Sequence, residues 1–125
     1  MQCLSPFLVS RSDGKGTVIR TPVPCGKCYA CLSRKRNQWA FRLQKEQRYS
    51  EYSHFVTLTY DDGHLEYNDD GYPVVSKRDV QLFLKRLRKS YKGAKIRYFV
   101  TSEYGPTTFR PHYHGIFFGI PGTVE

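Results

Sequence analysis

The sequence predicts an α+β chain: an antiparallel sheet with helices packed on it, preceded by an N-terminal cysteine-rich, metal-binding extension. Three observations carry this. The run His54-Phe55-Val56-Thr57-Leu58-Thr59-Tyr60 alternates, with Val56, Leu58 and Tyr60 on one face and Phe55, Thr57 and Thr59 on the other, as a half-buried strand does. Ser76-Lys77-Arg78-Asp79 has the form of a capping box, and Val80, Phe83, Leu84, Leu87 and Tyr91 follow it at helical spacing. Finally, two strand-like runs, residues 96–103 and 112–119, are joined by the turn-rich Tyr104-Gly105-Pro106-Thr107-Thr108-Phe109-Arg110-Pro111, which suits an antiparallel pair. A chain of 125 residues has room for one domain and one modest core.

Taken from the start, residues 1–24 are irregular. Residues 4–9 can form a short strand, Asp13-Gly14-Lys15-Gly16 a hairpin tip and residues 17–19 the returning strand, with Pro22 and Pro24 closing the section. Cys25, Cys28 and Cys31 then form a C-x2-C-x2-C run, with Gly26 in the tight turn; this spacing lets thiolates converge on one ion, and Cys3 can close a four-sulfur zinc site. The same spacing occurs in iron–sulfur ligation, but the fuller run with its fourth Cys and Pro is missing. The plain alternative is a set of reduced, partly buried thiols. Residues 32–51 read as a helix with a broken apolar stripe of Leu32, Trp39, Ala40 and Leu43, expected to dock, and a basic remainder of Arg34, Lys35, Arg36, Arg42, Lys45 and Arg48. Such a face either meets phosphates or is merely solvated. After the strand at 54–60, the aspartates of residues 61–71 lack the twelve-residue calcium-loop pattern and read as a solvated loop. The helix at 76–91 ends in Lys85, Arg86, Arg88, Lys89 and Lys92, which the helix dipole explains without a ligand, and Gly93 stops it.

Lys plus Arg number 20 against 11 acids, a formal charge of +9, and aromatics make up 15% of the chain. Basic charge interleaved with aromatics is the footprint of a nucleic-acid binder, although net charge speaks to partners and not to fold. No apolar run approaches a membrane span, and Met1-Gln2-Cys3-Leu4-Ser5-Pro6 lacks the regions of a signal peptide. A cytosolic chain with no membrane partner follows, and in that compartment cysteines favour metal over disulfides.

The chemistry concentrates at Arg110-Pro111-His112-Tyr113-His114-Gly115. Positions two apart on a strand share a face, so His112 and His114 aim into one volume while Tyr113 points away. Neutral imidazole is the commonest metal ligand. Pro111 removes a donor and fixes the start of the strand. The hairpin can fold Glu103 back beside His112, and a His, His, carboxylate set leaves open positions on a divalent ion for work on phosphate oxygens. An isolated H-x-H is more often a solvated strand; the surrounding motifs weigh against that here.

In order, these motifs closely resemble the replication initiator proteins of gokushovirus-type single-stranded DNA phages (Microviridae), which belong to the HUH endonucleases, the rolling-circle Rep superfamily. The matching residues are 1–3, 24–31, 55–60, 79–88, Glu103-Tyr104-Gly105-Pro106 and 110–119, spanning nearly the whole chain. The resemblance implies a ferredoxin-like or RNA-recognition-like sheet in residues 32–125, with residues 1–31 as the cysteine extension. It implies Mg²⁺ or Mn²⁺ on Glu103, His112 and His114, and a structural Zn²⁺ on Cys3, Cys25, Cys28 and Cys31. It also implies nicking of single-stranded DNA at a phage origin by attack of a tyrosine, in the host bacterial cytoplasm and alongside host replication machinery. Arg34, Lys35, Arg36, Arg42, Lys85, Arg88, Arg97 and Arg110 are the expected DNA contacts. In that family the nucleophilic tyrosine lies on a helix well after the His-Tyr-His strand, with a lysine a few residues on. Here the candidates are poor: Tyr113 points away from the histidines, and Tyr91, with Lys92 and Lys95, precedes the strand. The expectation is a nucleophile beyond residue 125. Two functions stay open: a nicking enzyme completed by such a segment, or a non-catalytic single-stranded DNA or origin-binding module on the same sheet.

Overall fold

The computed structural model describes residues 2–122. Met1, which the resemblance includes, and the last three residues lie outside them. The chain is α+β, with antiparallel sheets and two α-helices among the described residues, and it divides into two compact units, Met1–Lys45 and Glu46–Glu125.

In the first unit, strands β1 (Phe7–Ser12) and β2 (Val18–Val23) form an antiparallel hairpin running from Phe7↔Val23 to Ser12↔Val18. Asp13 builds its tip, its carboxylate accepting from the amides of Lys15 at 2.8 Å and Thr17 at 3.1 Å. β1 starts later than the predicted residue 4. The amide of Leu4 donates to Cys28 Sγ and that of Ser5 to Cys3 Sγ, both at 3.4 Å, so these donors are taken from the ladder. β2 continues through Pro22, which the two-stranded ladder tolerates because a missing N–H can face outward on an edge. Helix α1 (Tyr29–Tyr49) begins three residues before the expected Leu32, with the Leu32 amide donating to Cys28 O at 3.0 Å. Only Ala30 and Cys31 of α1 are buried. The expected docked stripe is not formed: Leu32, Trp39 and Ala40 are exposed and Leu43 is half-buried. Lys35 and Arg36 interrupt it, and cations cover the rings instead, Arg42 lying 5.2 Å over Trp39 and Lys45 5.4 Å over Phe41.

In the second unit, β3 (Ser53–Leu58), β4 (Arg97–Tyr104) and β5 (Pro111–Phe118) form an antiparallel sheet in the order β3-β5-β4. The His-Tyr-His strand is thus central, and it begins at Pro111 as predicted. Helix α2 (Lys77–Ser90) covers one face. Leu84, Ile96, Phe117 and Ile120 form the core, with Val56, Val80, Phe83, Leu87, Tyr91 and Val100 packed against it. Gly115 makes room for it, since a Cβ there would sit 2.5 Å from the Phe117 ring. Gly119 ends β5 at φ +84°, and a Cβ there would collide with the carbonyl oxygen of Lys95.

The capping box of α2 is half made. Ser76 Oγ accepts from the Asp79 amide at 3.3 Å. Asp79 does not return the bond: its carboxylate accepts from the Tyr60 hydroxyl at 2.8 Å, and the Ser76 amide donates to Tyr113 Oη at 2.6 Å. Two buried phenols replace the reciprocal contact and tie the helix start to the sheet.

Candidate metal centres

Among the described residues, two clusters of three or more His, Cys, Asp or Glu side chains bring one ligand atom each within 4.8 Å of the others: Glu103, His112 and His114, and the four cysteines.

The first cluster follows from register. Glu103 is the direct partner of His112 across β4 and β5, and His114 faces Thr101 on β4 and Thr57 on β3. All share the sheet face opposite α2. Glu103 Oε2 lies 3.3 Å from His112 Nε2 and 3.4 Å from His114 Nε2. His112 Nδ1 is 3.3 Å from the carbonyl of Arg110, which can only accept, so the proton belongs on Nδ1 and the Nε2 lone pair faces Glu103. His114 Nδ1 is 3.2 Å from Thr57 Oγ1, and a proton donated there frees its Nε2 in the same way. Phe55 stacks on the His114 ring at 5.7 Å and 18°. Three acceptors converging without a donor suit a cation between them. Bonds of about 2.1 Å place neighbouring ligands about 3.0 Å apart on an octahedron and about 3.4 Å apart on a tetrahedron, and the observed separations lie in that range. Glu103 is more than half exposed and the histidines half-buried, so the open side faces solvent.

In the second cluster, Cys25 and Cys31 Sγ are 4.0 Å apart and Cys28 and Cys3 Sγ 3.9 Å. A tetrahedral Zn–S shell with bonds of about 2.3 Å has edges of about 3.8 Å, so the four sulfurs fit such an ion closely. Backbone amides already aim at them. The Leu4 amide, then that of Cys31, lowers the Cys28 thiol to about 6. The Cys25 amide lowers Cys3. At Cys31 the Gly26 amide favours the thiolate, but burial and the thiols of Cys28, Cys3 and Cys25 outweigh it and push the group up to about 11. The spread among neighbouring thiols is that of a cluster unable to carry four negative charges without a cation.

The tyrosine candidates lie elsewhere. Tyr113 is buried on the α2 side of the sheet, its hydroxyl bonded to the Ser76 amide, the Ser76 carbonyl at 3.1 Å and Tyr60 Oη at 2.9 Å. Burial, then the bonds to Tyr113 and Asp79, push the Tyr60 hydroxyl far above its ordinary range. Both phenols line a cavity of about 540 Å³ with Leu58, Asp79, Val80 and Arg86, away from the histidines. Tyr91 caps the C-terminus of α2 and packs against the core.

The expected DNA contacts are dispersed. Arg34, Lys35, Arg36 and Arg42 lie on α1 in the first unit, and Lys85 and Arg88 on α2, which covers the face without the histidines. Arg88 sits 5.6 Å over the Tyr98 ring. Arg97 shares the histidine face and pairs with Glu46 at 3.0 Å. Arg110 holds Asp62 at 2.7 Å and the carbonyl of Tyr60, bracing the entry to β5. Sequence reading assigned no role to Thr57, to Phe55 or to the Arg110 carbonyl. Only the alternation that put Phe55 and Thr57 on one face of their strand signalled the first two.

A family model for the replication-associated protein ORF2 matches residues 53–124. Replication-associated protein ORF2 of Spiroplasma virus 4 is 37% identical over 118 residues, covering 90% of this chain and 37% of that protein. Replication-associated protein ORF4 of Chlamydia phage 1 is 35% identical, covering 78% and 24%. Replication-associated protein VP4 of Bdellovibrio phage phiMH2K is 36% identical, covering 78% and 31%. The chain therefore spans little more than a third, at most, of the length of these curated relatives. No solved structure matches.

Proposed function

The chain belongs to the replication-associated protein ORF2 family, and from that premise we propose that it is the metal-binding, DNA-holding part of an HUH-type replication initiator that nicks single-stranded DNA at a phage origin. One observation carries the reading: Glu103, His112 and His114 direct three acceptor atoms to one point on an open sheet face.

On this reading Glu103 Oε2 and the two Nε2 atoms hold a divalent cation, Mg²⁺ or Mn²⁺. The ion's contribution is to draw charge from a non-bridging oxygen of the scissile phosphate, which a weakly nucleophilic phenol requires near neutral pH. The Arg110 carbonyl and Thr57 keep the imidazoles turned with Nε2 outward. Attack by a tyrosine forms a Tyr O–P bond and breaks the P–O3′ bond, with the proton passing to the departing 3′ oxygen. The products are a 5′-phosphotyrosine and a 3′-hydroxyl able to prime rolling-circle synthesis. Tyr113 and Tyr91 are unsuited to this role, since one is buried and triply bonded on the wrong face and the other is packed on the core. The nucleophile is therefore taken to come from a segment outside residues 1–125. The four cysteines are taken to hold a structural zinc that fixes the first unit, residues 1–31 acting as an extension to the catalytic domain. The charge of +9 supports phosphate contact by the basic residues of α1 and α2.

A second reading, a non-catalytic single-stranded DNA-binding module, is favoured by the same placement of Tyr113 and Tyr91. One chimaera separates the two: this chain joined to the C-terminal remainder of the Spiroplasma virus 4 protein, mixed with single-stranded origin DNA and Mn²⁺. The initiator reading expects a covalent protein–DNA adduct that disappears with His112→Ala or His114→Ala. A chimaera that binds Mn²⁺ and DNA but cleaves nothing would support the module instead.

A further inference from the structure

The histidine face of the sheet is not uniformly polar. Ladder register divides it into rows across the three strands. Glu103 and His112 make one row, Thr57, His114 and Thr101 the next, then Phe55, Ile116 and Phe99. Successive rows are about 6.8 Å apart, two residues of antiparallel strand. One step from the ligand His114, polar side chains thus give way to an apolar strip, and at its β3 end stands Phe55, 72% exposed. A large apolar ring so exposed in a central row of a sheet, rather than at a loop tip, is a costly surface to leave in water. Phe55 is also held in place, stacked on His114 at 5.7 Å and 18°. The ring is therefore oriented as well as open.

We propose that Phe55 is a base-stacking platform: it receives the face of an unpaired nucleobase adjacent to the phosphate held at Glu103, His112 and His114, and so fixes the register of single-stranded DNA on the metal. The inference rests on the proposed function and adds to it a positioning residue. The occupant follows from three features. The chain's charge of +9 calls for a polyanion. A ring with one open flat face suits a planar π-system better than an aliphatic side chain. The platform is continuous with a site whose open side faces solvent, so a strand whose phosphate reaches the ion's ligands passes over Phe55 within one residue pair. Duplex DNA keeps its bases stacked inside and cannot offer that face.

The test uses the whole chain and an oligothymidylate, with binding followed by anisotropy at fixed salt. Phe55→Ala is expected to weaken binding roughly five- to hundredfold, the usual range for losing one base–aromatic stack. Phe55→Leu, which keeps apolar bulk but no ring, is expected to lose a comparable factor, and Phe55→Trp to retain affinity. The same substitutions in a His114→Ala background separate stacking from support of the ligand. A loss of similar size there supports the platform, whereas an effect that vanishes makes Phe55 a mere buttress of His114 and overturns the proposal. In a second measurement, Phe55→Trp combined with Trp39→Phe places the chain's single indole on the strip; oligothymidylate should quench its emission, and unchanged emission at saturating DNA would overturn the proposal. If the unsubstituted chain binds no single-stranded DNA, the proposed function fails with it. If it binds and Phe55→Ala binds equally well, only the platform fails.

Discussion

Thr57 offers a sharp test of how the first metal centre is built, because it touches no proposed ligand atom. Its hydroxyl lies 3.2 Å from His114 Nδ1, on the far side of the ring from Nε2. Thr57→Val keeps the shape and the β-branched preference of an edge strand but removes the partner that holds the Nδ1 proton. A neutral hydrogen bond contributes about 0.5–1.5 kcal/mol net, which is roughly two- to tenfold in affinity. Losses around a metal's ligand shell reach roughly ten- to a hundredfold. Thr57 is exposed, so water replaces part of the lost bond, and the lower range applies. Mn²⁺ affinity is expected to fall roughly three- to tenfold, with Thr57→Ser close to the unsubstituted chain. His114→Ala, losing a ligand outright, is expected to lose more than about tenfold. The assay is calorimetric or paramagnetic Mn²⁺ titration, in which the four thiolates contribute little because soft sulfur disfavours this ion. Thr57→Val binding Mn²⁺ as tightly as the unsubstituted chain, with the fold intact by circular dichroism, would refute the idea that Thr57 sets the orientation of His114.

Further outcomes follow from other sites. Gly119→Ala combines a left-handed backbone, costing about 1–2 kcal/mol for a non-glycine residue, with a Cβ driven into the Lys95 carbonyl; thermal melting should fall by more than about 10 °C, and an unchanged midpoint would contradict the close approach. Tyr113→Phe strands the buried Ser76 amide and should cost about 1–3 kcal/mol of stability in urea titration, while the chimaera still forms its adduct; loss of the adduct without loss of stability would make Tyr113 the nucleophile. In chain stripped of metal, Cys28, lowered to about 6, is mostly thiolate at pH 7, whereas Cys31, raised to about 11, is thiol. Iodoacetamide mapped by mass spectrometry should label Cys28 early and Cys31 last at pH 7, with the Cys28 rate falling as pH drops through about 6; equal rates would contradict the amide contacts. DNA affinity should decline with salt at a logarithmic slope near −0.7 per phosphate neutralised, and salt-independent binding would remove the role of the basic residues.

Much of this was legible in the residues, for physical reasons. The period of two in residues 54–60, the stripe from Val80 to Leu87 and the breaker at Pro111 each express one local rule, and the strands, helix and boundary appear there. The meeting of Glu103 with His112 was legible because a hairpin between adjacent strands leaves little freedom of register. What was hidden depends on long-range partners. No local pattern pairs β3 with β5, so Thr57 and Phe55 gave no sign of facing His114. The capping box was half wrong because Tyr60 and Tyr113 compete for Asp79 and Ser76 from the sheet. The start of β1 was misplaced because sulfur acceptors on distant cysteines captured the amides of residues 4 and 5. The stripe on α1 misled because helical spacing reveals which residues share a face and not whether anything covers it.

The central claim, a divalent ion on Glu103, His112 and His114, is tested most directly by anomalous diffraction from crystals of the chain soaked in Mn²⁺. The account predicts one strong anomalous peak on the histidine face, about 2.0–2.3 Å from Glu103 Oε2, His112 Nε2 and His114 Nε2, and its loss in His114→Ala. An ion bound through Nδ1, or a peak elsewhere with these three side chains unengaged, would contradict it.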